Sequence, residues 1–177
     1  VIAALEPTFG GINLEDIKAP DCFLVERKLR ERMKIPVFHD DQHGTAIVVL
    51  AALKNSLKLV KKDISTVKIV MSGAGAAGTA VARLLVKSGA KNIIAFDKDG
   101  AINGSRTRDD EMRAWFIDHS NPTNFAGSLH EAMTGADVFI GVSAPNVLTE
   151  SDVASMSERS IVFALANPDP EVDPVIA

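Results

Sequence analysis

The sequence predicts an α/β fold built on a doubly wound parallel sheet, with a segment of helix and strand before it. Three observations support this prediction. Short runs rich in β-branched residues recur along the chain, helical stretches separate them, and one run leads directly into a glycine-rich turn. Strands that alternate with helices form parallel sheets, because each crossover helix returns the chain to the same edge of the sheet.

Composition and charge exclude two classes of partner. The chain has 177 residues, of which 46% are hydrophobic and 24% charged, and its net charge is −4. No stretch concentrates Lys and Arg, so we expect neither nucleic acid nor an anionic membrane surface as a partner. The longest apolar run, residues 46–53, is far shorter than the roughly 20 residues of a bilayer span. The single cysteine, Cys22, cannot form an internal disulfide, which favours a cytoplasmic location.

The first part of the chain, residues 1–60, is predicted to be separate from the sheet domain at 61–177. Residues 22–33 are predicted to form an amphipathic helix, because their apolar residues recur at helical spacing. A short buried strand is predicted at 35–38, followed by a polar loop at 39–44 with the sequence His-Asp-Asp-Gln-His-Gly. Residues 45–60 contain neither Pro nor Gly and predict a long apolar helix.

The second part, residues 61–177, carries the alternation of strands and helices. Strands are predicted at 67–71, 92–96, 137–141 and 160–164, and helices at 79–87, 109–118, 129–133 and 150–156.

A glycine-rich turn follows the strand at 67–71 and precedes a helix. The pattern G-x-G-x-x-G in this context is typical of Rossmann-like domains that bind dinucleotides. The first glycine allows the tight turn, the second lets the backbone approach the pyrophosphate, and the third lets helix and strand pack closely. Free amides at the helix N-terminus then face the phosphates. We therefore predict that NAD or NADP binds at Gly73, Ala74, Gly75, Ala76, Ala77 and Gly78.

An acidic residue, Asp97, ends the next predicted strand. Its carboxylate can accept hydrogen bonds from the ribose diol of the cofactor. A carboxylate there repels a 2′-phosphate and so favours NAD, whereas Lys98 beside it can offset that repulsion. The choice between NAD and NADP therefore stays open.

Two pairs of adjacent carboxylates lie upstream of the nucleotide fold, Glu15–Asp16 and Asp40–Asp41. Clustered carboxylates repel one another unless a cation or hydrogen bonds compensate, and oxygen ligands suit Mg²⁺ or Mn²⁺. On residue chemistry alone, surface acids and helix caps are the simpler interpretation. His39 and His43 flank the second pair, but their expected place in a loop disfavours zinc.

Four stretches together resemble the malic enzyme family, specifically its shorter bacterial type. They occur in the family's order and extend over almost the whole chain. The stretches are residues 5–17, residues 35–46, the glycine turn at 73–78, and residues 166–170.

The resemblance implies a set of site residues. It implies that Glu15, Asp16 and Asp41 bind Mg²⁺ or Mn²⁺, with Asp40 supporting the metal site from behind these ligands. It also implies that Asn167 lies near the substrate or the nicotinamide, so that Asp41 and Asn167 are the catalytic residues of this chain. Ser143, in the turn after the strand at 137–141, either borders the cofactor or belongs to an ordinary strand-end turn.

The activity implied by the resemblance is the oxidative decarboxylation of malate to pyruvate and CO₂, with reduction of NAD⁺ or NADP⁺. The family's general acid is a tyrosine and its general base a lysine, both before the metal-ligand segment. This chain contains no tyrosine, and its first lysine is Lys18. We therefore expect the chain to be an excerpt that is inactive alone, from an enzyme that forms a homodimer or a higher homo-oligomer.

Three alternatives remain open. A malolactic enzyme would bind the same cofactor and metal but release lactate. Another oxidoreductase with this nucleotide fold, such as an amino-acid dehydrogenase, would have no need of the paired acids Glu15 and Asp16. A non-catalytic nucleotide-binding module is the alternative from a different class.

Overall fold

The computed structural model describes residues 1–175 and residue 177. The first part of the chain contains a 3₁₀ helix (Ile2–Thr8), β1 (Ile12–Leu14), α1 (Asp21–Arg32), β2 (Val37–His39), a π-helical turn (Asp40–Gly44) and α2 (Thr45–Val60). The second part contains β3 (Lys68–Ser72), α3 (Ala76–Lys87), β4 (Asn92–Asp97), β5 (Gly100–Ala101), α4 (Glu111–His119), α5 (Leu129–Met133), β6 (Val138–Gly141), α6 (Glu150–Ala154) and β7 (Ile161–Ala164).

The larger sheet has the strand order β5-β4-β3-β6-β7, and all its pairings are parallel except that of β5 with β4. From β3 the chain moves to β4 on one side and later crosses to β6 on the other. This reversal opens a crevice at the carboxyl ends of β3 and β6, the place where ligands of such sheets bind. The predicted α/β fold with its doubly wound sheet is confirmed.

The core lies on both faces of this sheet, because alternate residues of each strand point to opposite sides. Ile69 and Met71 of β3 pack with α2 and α3, whereas Val70 between them packs with α5 on the other face. All three are fully buried. Burying a side chain of this size contributes about 1.5–3 kcal/mol, so this strand is firmly held between its layers.

A network of hydrogen bonds joins the amino ends of the strands. The carboxylate of Asp137, just before β6, accepts from Lys62 Nζ at 2.8 Å and from the backbone amide of Lys68 at 2.8 Å. Ser157 donates to the same carboxylate at 2.8 Å. Burial alone would raise the pKa of Asp137, but these hydrogen bonds outweigh it and lower the pKa.

The smaller sheet positions the upstream acids. β1 and β2 pair in parallel, with Leu14 opposite His39. Leu14 and the α1 residue Leu29 are buried in a core of their own. Because the two strands are parallel, the residues that follow Leu14 and His39 leave the sheet at the same edge.

Most predicted elements are confirmed, and one region is corrected. The polar loop predicted at 39–44 is wrong: His39 ends β2, and Asp40–Gly44 form a π-helical turn that runs into α2. The amide of Thr45 donates to the carbonyl of Asp40, which closes this wider turn. The strands β1 and β5 were not predicted, since three and two residues are too few for a recognisable alternation. Within the described residues, no helix has the length and apolar character needed to cross a bilayer.

Candidate functional site

A cavity of about 800 Å³ opens at the carboxyl ends of β3, β4 and β6. Its volume lies within the usual range of small-molecule and cofactor sites. The residues predicted to bind the dinucleotide that line this cavity are Gly73, Ala74, Gly75, Asp97 and Ser143. Ala76, Ala77 and Gly78 lie behind them, in the first turn of α3. Asn167 lies outside the cavity lining, exposed, three residues beyond the end of β7.

The three glycines of the turn have different surroundings. Gly73 has φ +105°, and a Cβ there would lie 2.6 Å from the carbonyl oxygen of Val142. A Cβ on Gly78 would overlap the carbonyl oxygen of Gly73. A Cβ on Gly75 would meet no atom within 4 Å, because this residue faces open space. Gly73 and Gly78 therefore serve the fold, whereas Gly75 leaves room for a ligand.

Asp97 is held by two arginines that sequence reasoning missed. Arg106 Nη2 donates to both carboxylate oxygens, at 3.0 and 3.1 Å, and Arg113 Nε lies 3.4 Å away. Lys98, considered above as the balancing charge, instead pairs with Asp99 at 2.9 Å. Both arginines come from later parts of the chain, and no local pattern signals their return to the end of β4. Two guanidinium groups thus lie against Asp97, and the carboxylates of Asp99 and Asp110 line the same cavity.

The far side of the cavity is organised by a buried carboxylate that sequence reasoning also missed. Glu171 is fully buried and accepts hydrogen bonds from the backbone amides of Ser143 and Ala166. Ser143 Oγ lies 2.9 Å from Ser72 Oγ at the end of β3. These contacts join the ends of three neighbouring strands.

The upstream acids follow the two paired strands of the smaller sheet at the same edge. Glu15 and Asp16 follow β1, and Asp41 lies in the π-helical turn after β2. The backbone amide of Asp16 donates to Asp41 Oδ2 at 3.2 Å. All three side chains belong to exposed residues. Within residues 1–175 and 177, no three His, Cys, Asp or Glu side chains converge closely enough to hold a metal ion. The structure therefore brings Asp16 and Asp41 together but leaves the predicted triad open.

The donor chemistry of this edge fits a hard cation better than zinc. The available ligands are carboxylate oxygens, which Mg²⁺ and Mn²⁺ prefer. His39 is buried, and its Nε2 lies 4.0 Å from Asp41 Oδ2. His43 is engaged elsewhere, with its Nε2 2.7 Å from Glu26 Oε1. His39 and His43 thus contact different carboxylates, Asp41 and Glu26, and do not form a pair of zinc ligands.

The acid-bearing turn packs against the helix that starts at the glycine turn. Gln42 and His43 share a cleft with Thr79 and Arg83 of α3. Glu26 of α1 is buried and accepts from Gln42 Nε2 at 3.4 Å, which ties the turn to α1 as well. The side chain of Asp40 folds back over Gly44, where a Cβ would overlap its carboxylate. The turn that carries Asp40 and Asp41 is thus held beside α3.

Comparison with known proteins identifies the family. The model of the malic enzyme NAD-binding domain matches residues 42–176, which is most of the chain. The chain belongs to the malic enzyme family. Over 177 residues it is 51% identical to the NAD-dependent malic enzyme of Geobacillus stearothermophilus, and it covers 37% of that relative. It is 52% identical to the NADP-dependent malic enzyme of Salmonella typhimurium, of which it covers 23%.

Solved structures of the family agree with this fold. The NAD-dependent malic enzyme of Thermotoga maritima superposes with a TM-score of 0.94 at 48% identity, over 99% of this chain and 47% of that one. The chain thus spans less than half the length of these malic enzymes. The family resemblance drawn from the sequence is confirmed. Relatives named for NAD and for NADP are equally similar to it, so overall identity does not distinguish the two cofactors.

Proposed function

We propose that this chain is the metal-binding and dinucleotide-binding part of an enzyme that oxidises malate and decarboxylates it to pyruvate and CO₂, reducing NAD⁺ or NADP⁺. The observation that supports this most strongly is the arrangement of the two candidate sites. A cofactor-sized cavity lies at the switch point of the sheet, and the turn carrying Asp41 packs against the helix that starts at that cavity. A substrate held between them would have its reacting carbon beside a nicotinamide.

The cofactor would lie across the carboxyl ends of the strands. The free amides at the start of α3 would bind its pyrophosphate, and Asp97 would accept from the adenosine ribose. Its nicotinamide would then extend past β3 towards Ser143 and Asn167. The side-chain amide of Asn167 offers both a donor and an acceptor, which suits the orientation of a carboxylate or a carboxamide.

The metal ligands in this proposal are Glu15, Asp16 and Asp41, with Mg²⁺ or Mn²⁺ as the ion. The proposal is supported by the family and by the contact between Asp16 and Asp41. When bound, such an ion stabilises negative charge on a substrate oxygen. Through the bound ion, the carboxylates of this chain would hold the oxygens of the substrate in place. Asp40 would stabilise the conformation of the π-helical turn.

Other parts of the full-length protein would transfer the protons. The chain contains no tyrosine, whereas the family's acid is a tyrosine. We also propose that the full-length protein is a cytoplasmic homo-oligomer. The family resemblance implies at least a dimer, and the lone cysteine suits a reducing compartment.

Product analysis tests the proposed reaction. The full-length protein is incubated with L-malate, Mn²⁺ and either NAD⁺ or NADP⁺, and pyruvate, lactate and reduced cofactor are quantified. We expect pyruvate and reduced cofactor in equal amounts. Lactate without net reduced cofactor would assign the malolactic reaction instead. Dinucleotide binding without any malate turnover would assign a non-catalytic nucleotide-binding module.

A further inference from the structure

Glu171 is a buried carboxylate that the proposed chemistry does not use. Its residue is fully buried, and among the described residues no Lys, Arg or His lies within ion-pair distance of it. Burying a carboxylate without a cation is costly, and an apolar side chain could fill the same space at lower cost. The presence of this carboxylate therefore calls for a role that an apolar residue cannot perform.

The carboxylate connects two separate loops. Its Oε1 accepts from the backbone amide of Ser143 at 2.9 Å and lies 3.3 Å from Ser143 Oγ. Its Oε2 accepts from the backbone amide of Ala166 at 3.0 Å. Ser143 follows β6 and Ala166 follows β7, so one side chain fixes the distance between the ends of two neighbouring strands.

The surrounding chain is shaped to receive this side chain. A Cβ on Gly141, the last residue of β6, would overlap the carboxyl group of Glu171. The backbone amide of Leu148 donates to the carbonyl of Glu171 at 3.0 Å, which ties its main chain to the loop after β6. The glycine at the end of β6 thus allows the close approach of the carboxylate to the strand.

The two loops lie on the side of the crevice away from Asp97. An extended dinucleotide with its ribose at the end of β4 and its pyrophosphate at the glycine turn must continue towards β6 and β7. Ser143 lines the cavity there, and Asn167 directly follows Ala166. The hydrogen bonds of Glu171 therefore act on the cavity wall at Ser143 and, through Ala166, on the turn that carries Asn167, both of which would lie on the nicotinamide side of a bound cofactor.

We propose that Glu171 is a positioning residue for the nicotinamide. By holding the amides of Ser143 and Ala166, it sets the width of the pocket that receives the ring and the orientation of the turn that carries Asn167. This inference rests on the proposed function, because it requires a bound nicotinamide dinucleotide. It assigns Glu171 no contact with the cofactor and no part in proton transfer.

The test compares two ligands in the full-length protein and its Glu171→Gln variant. Calorimetry measures the dissociation constant of NAD⁺ or NADP⁺, whichever the wild type binds more tightly. It also measures the dissociation constant of the matching ligand without nicotinamide, which is ADP-ribose for NAD⁺ and the 2′-phosphate of ADP-ribose for NADP⁺. The glutamine keeps the size of the side chain but turns one acceptor into a donor that faces a backbone amide. We expect the dinucleotide Kd to rise about tenfold, because the unpaired donor displaces the two loop ends in the free protein and binding must bring them back into position. The Kd of the nicotinamide-free ligand should change by less than about twofold.

Asp137→Asn is the matched control. Asp137 also accepts from a backbone amide and a serine hydroxyl, but at the amino end of β6, away from the cavity. It should lower the melting temperature and leave both dissociation constants unchanged. Equal weakening of both ligands by Glu171→Gln would overturn the proposal, because it would indicate a general loss of structure. An unchanged dinucleotide Kd would overturn it as well.

A measurement on the wild type covers the case of a variant that does not fold. Hydrogen exchange is followed in peptides spanning residues 142–148 and 164–168. We expect the dinucleotide to slow exchange in both peptides. The nicotinamide-free ligand shares the cavity with Ser143 and Val147, so it should slow exchange in residues 142–148 but not in residues 164–168. An equal effect of the two ligands on residues 164–168 would overturn the proposal. Malate turnover by the wild type is assayed separately. A wild type that does not turn over malate refutes the proposed reaction, whereas the comparison of the dinucleotide with the nicotinamide-free ligand decides the role of Glu171. A wild type that binds neither ligand would refute both.

Discussion

Replacing Gly75 with alanine should separate cofactor binding from folding. Gly75 has φ −78°, a value that alanine adopts readily, and a Cβ there would meet no protein atom within 4 Å. The residue is the N-cap of α3, where a change from glycine to alanine costs about 0.5–1 kcal/mol. For a chain of this size, that cost corresponds to a fall in Tm of about 1–4 °C.

The effect on binding should be larger than the effect on folding. The added methyl group would occupy the open space into which the pyrophosphate must come to reach the amides of α3. Inserting a methyl group into a close-packed contact costs about 1–3 kcal/mol, so the dinucleotide Kd should rise by about 5- to 150-fold. Isothermal titration of the full-length protein with NAD⁺ and NADP⁺ measures this change directly.

Gly78→Ala is the control for this experiment. Its Cβ would overlap the carbonyl oxygen of Gly73, so the fold itself must shift. We expect it to lower the melting temperature more than Gly75→Ala does. An unchanged dinucleotide Kd in Gly75→Ala would show that the pyrophosphate lies elsewhere than at the glycine turn.

Removing single charges tests the cofactor site, the hydrogen bonds of Asp137 and the metal site separately. Asp97→Asn should shift the ratio of the NAD⁺ and NADP⁺ affinities towards NADP⁺, whereas Arg106→Gln should shift it towards NAD⁺. The two substitutions remove opposite charges beside the expected ribose site, so shifts in the same direction would contradict this prediction. The pKa of Asp137 is lowered in the fold, so its stabilising effect is present above the ordinary aspartate pKa of about 4 and is lost as the pH falls through the lower folded value. Asp137→Asn should therefore lower Tm at neutral pH and flatten its decline below about pH 4 in scanning calorimetry. Asp41→Asn should raise the Kd of Mn²⁺ at least about tenfold without changing metal-free binding of the dinucleotide, and an unchanged Mn²⁺ affinity would remove Asp41 from the ligand set.

The sheet domain could be predicted from the sequence because its signals are local. Residues such as Ile69 and Val70 form an apolar run that is long enough to be recognised, and the glycine turn has a fixed spacing after it. The strand ending in Asp97 was found in the same way. These elements are specified by neighbours along the chain.

The features that could not be predicted depend on contacts between distant residues. Arg106 and Arg113 reach Asp97 only because the chain returns to the end of β4. Glu171 gains its role from amides on two other loops, and nothing in its own neighbourhood signals burial. The π-helical turn at Asp40–Gly44 has the composition of an ordinary polar loop. The wider hydrogen bond that defines it, from Thr45 to Asp40, requires no particular residue types that a sequence pattern could show.

We propose that a divalent ion bound by Glu15, Asp16 and Asp41 would lie beside the nicotinamide rather than the adenine of the cofactor. Proton relaxation of NAD⁺ or NADP⁺ bound to the full-length protein tests it, with Mn²⁺ as the paramagnetic ion and Mg²⁺ as the diamagnetic reference. We expect Mn²⁺ to accelerate relaxation of the nicotinamide protons much more than that of the adenine protons, and Asp41→Asn to abolish this difference. Equal acceleration at both ends, or a stronger effect on the adenine, would contradict it.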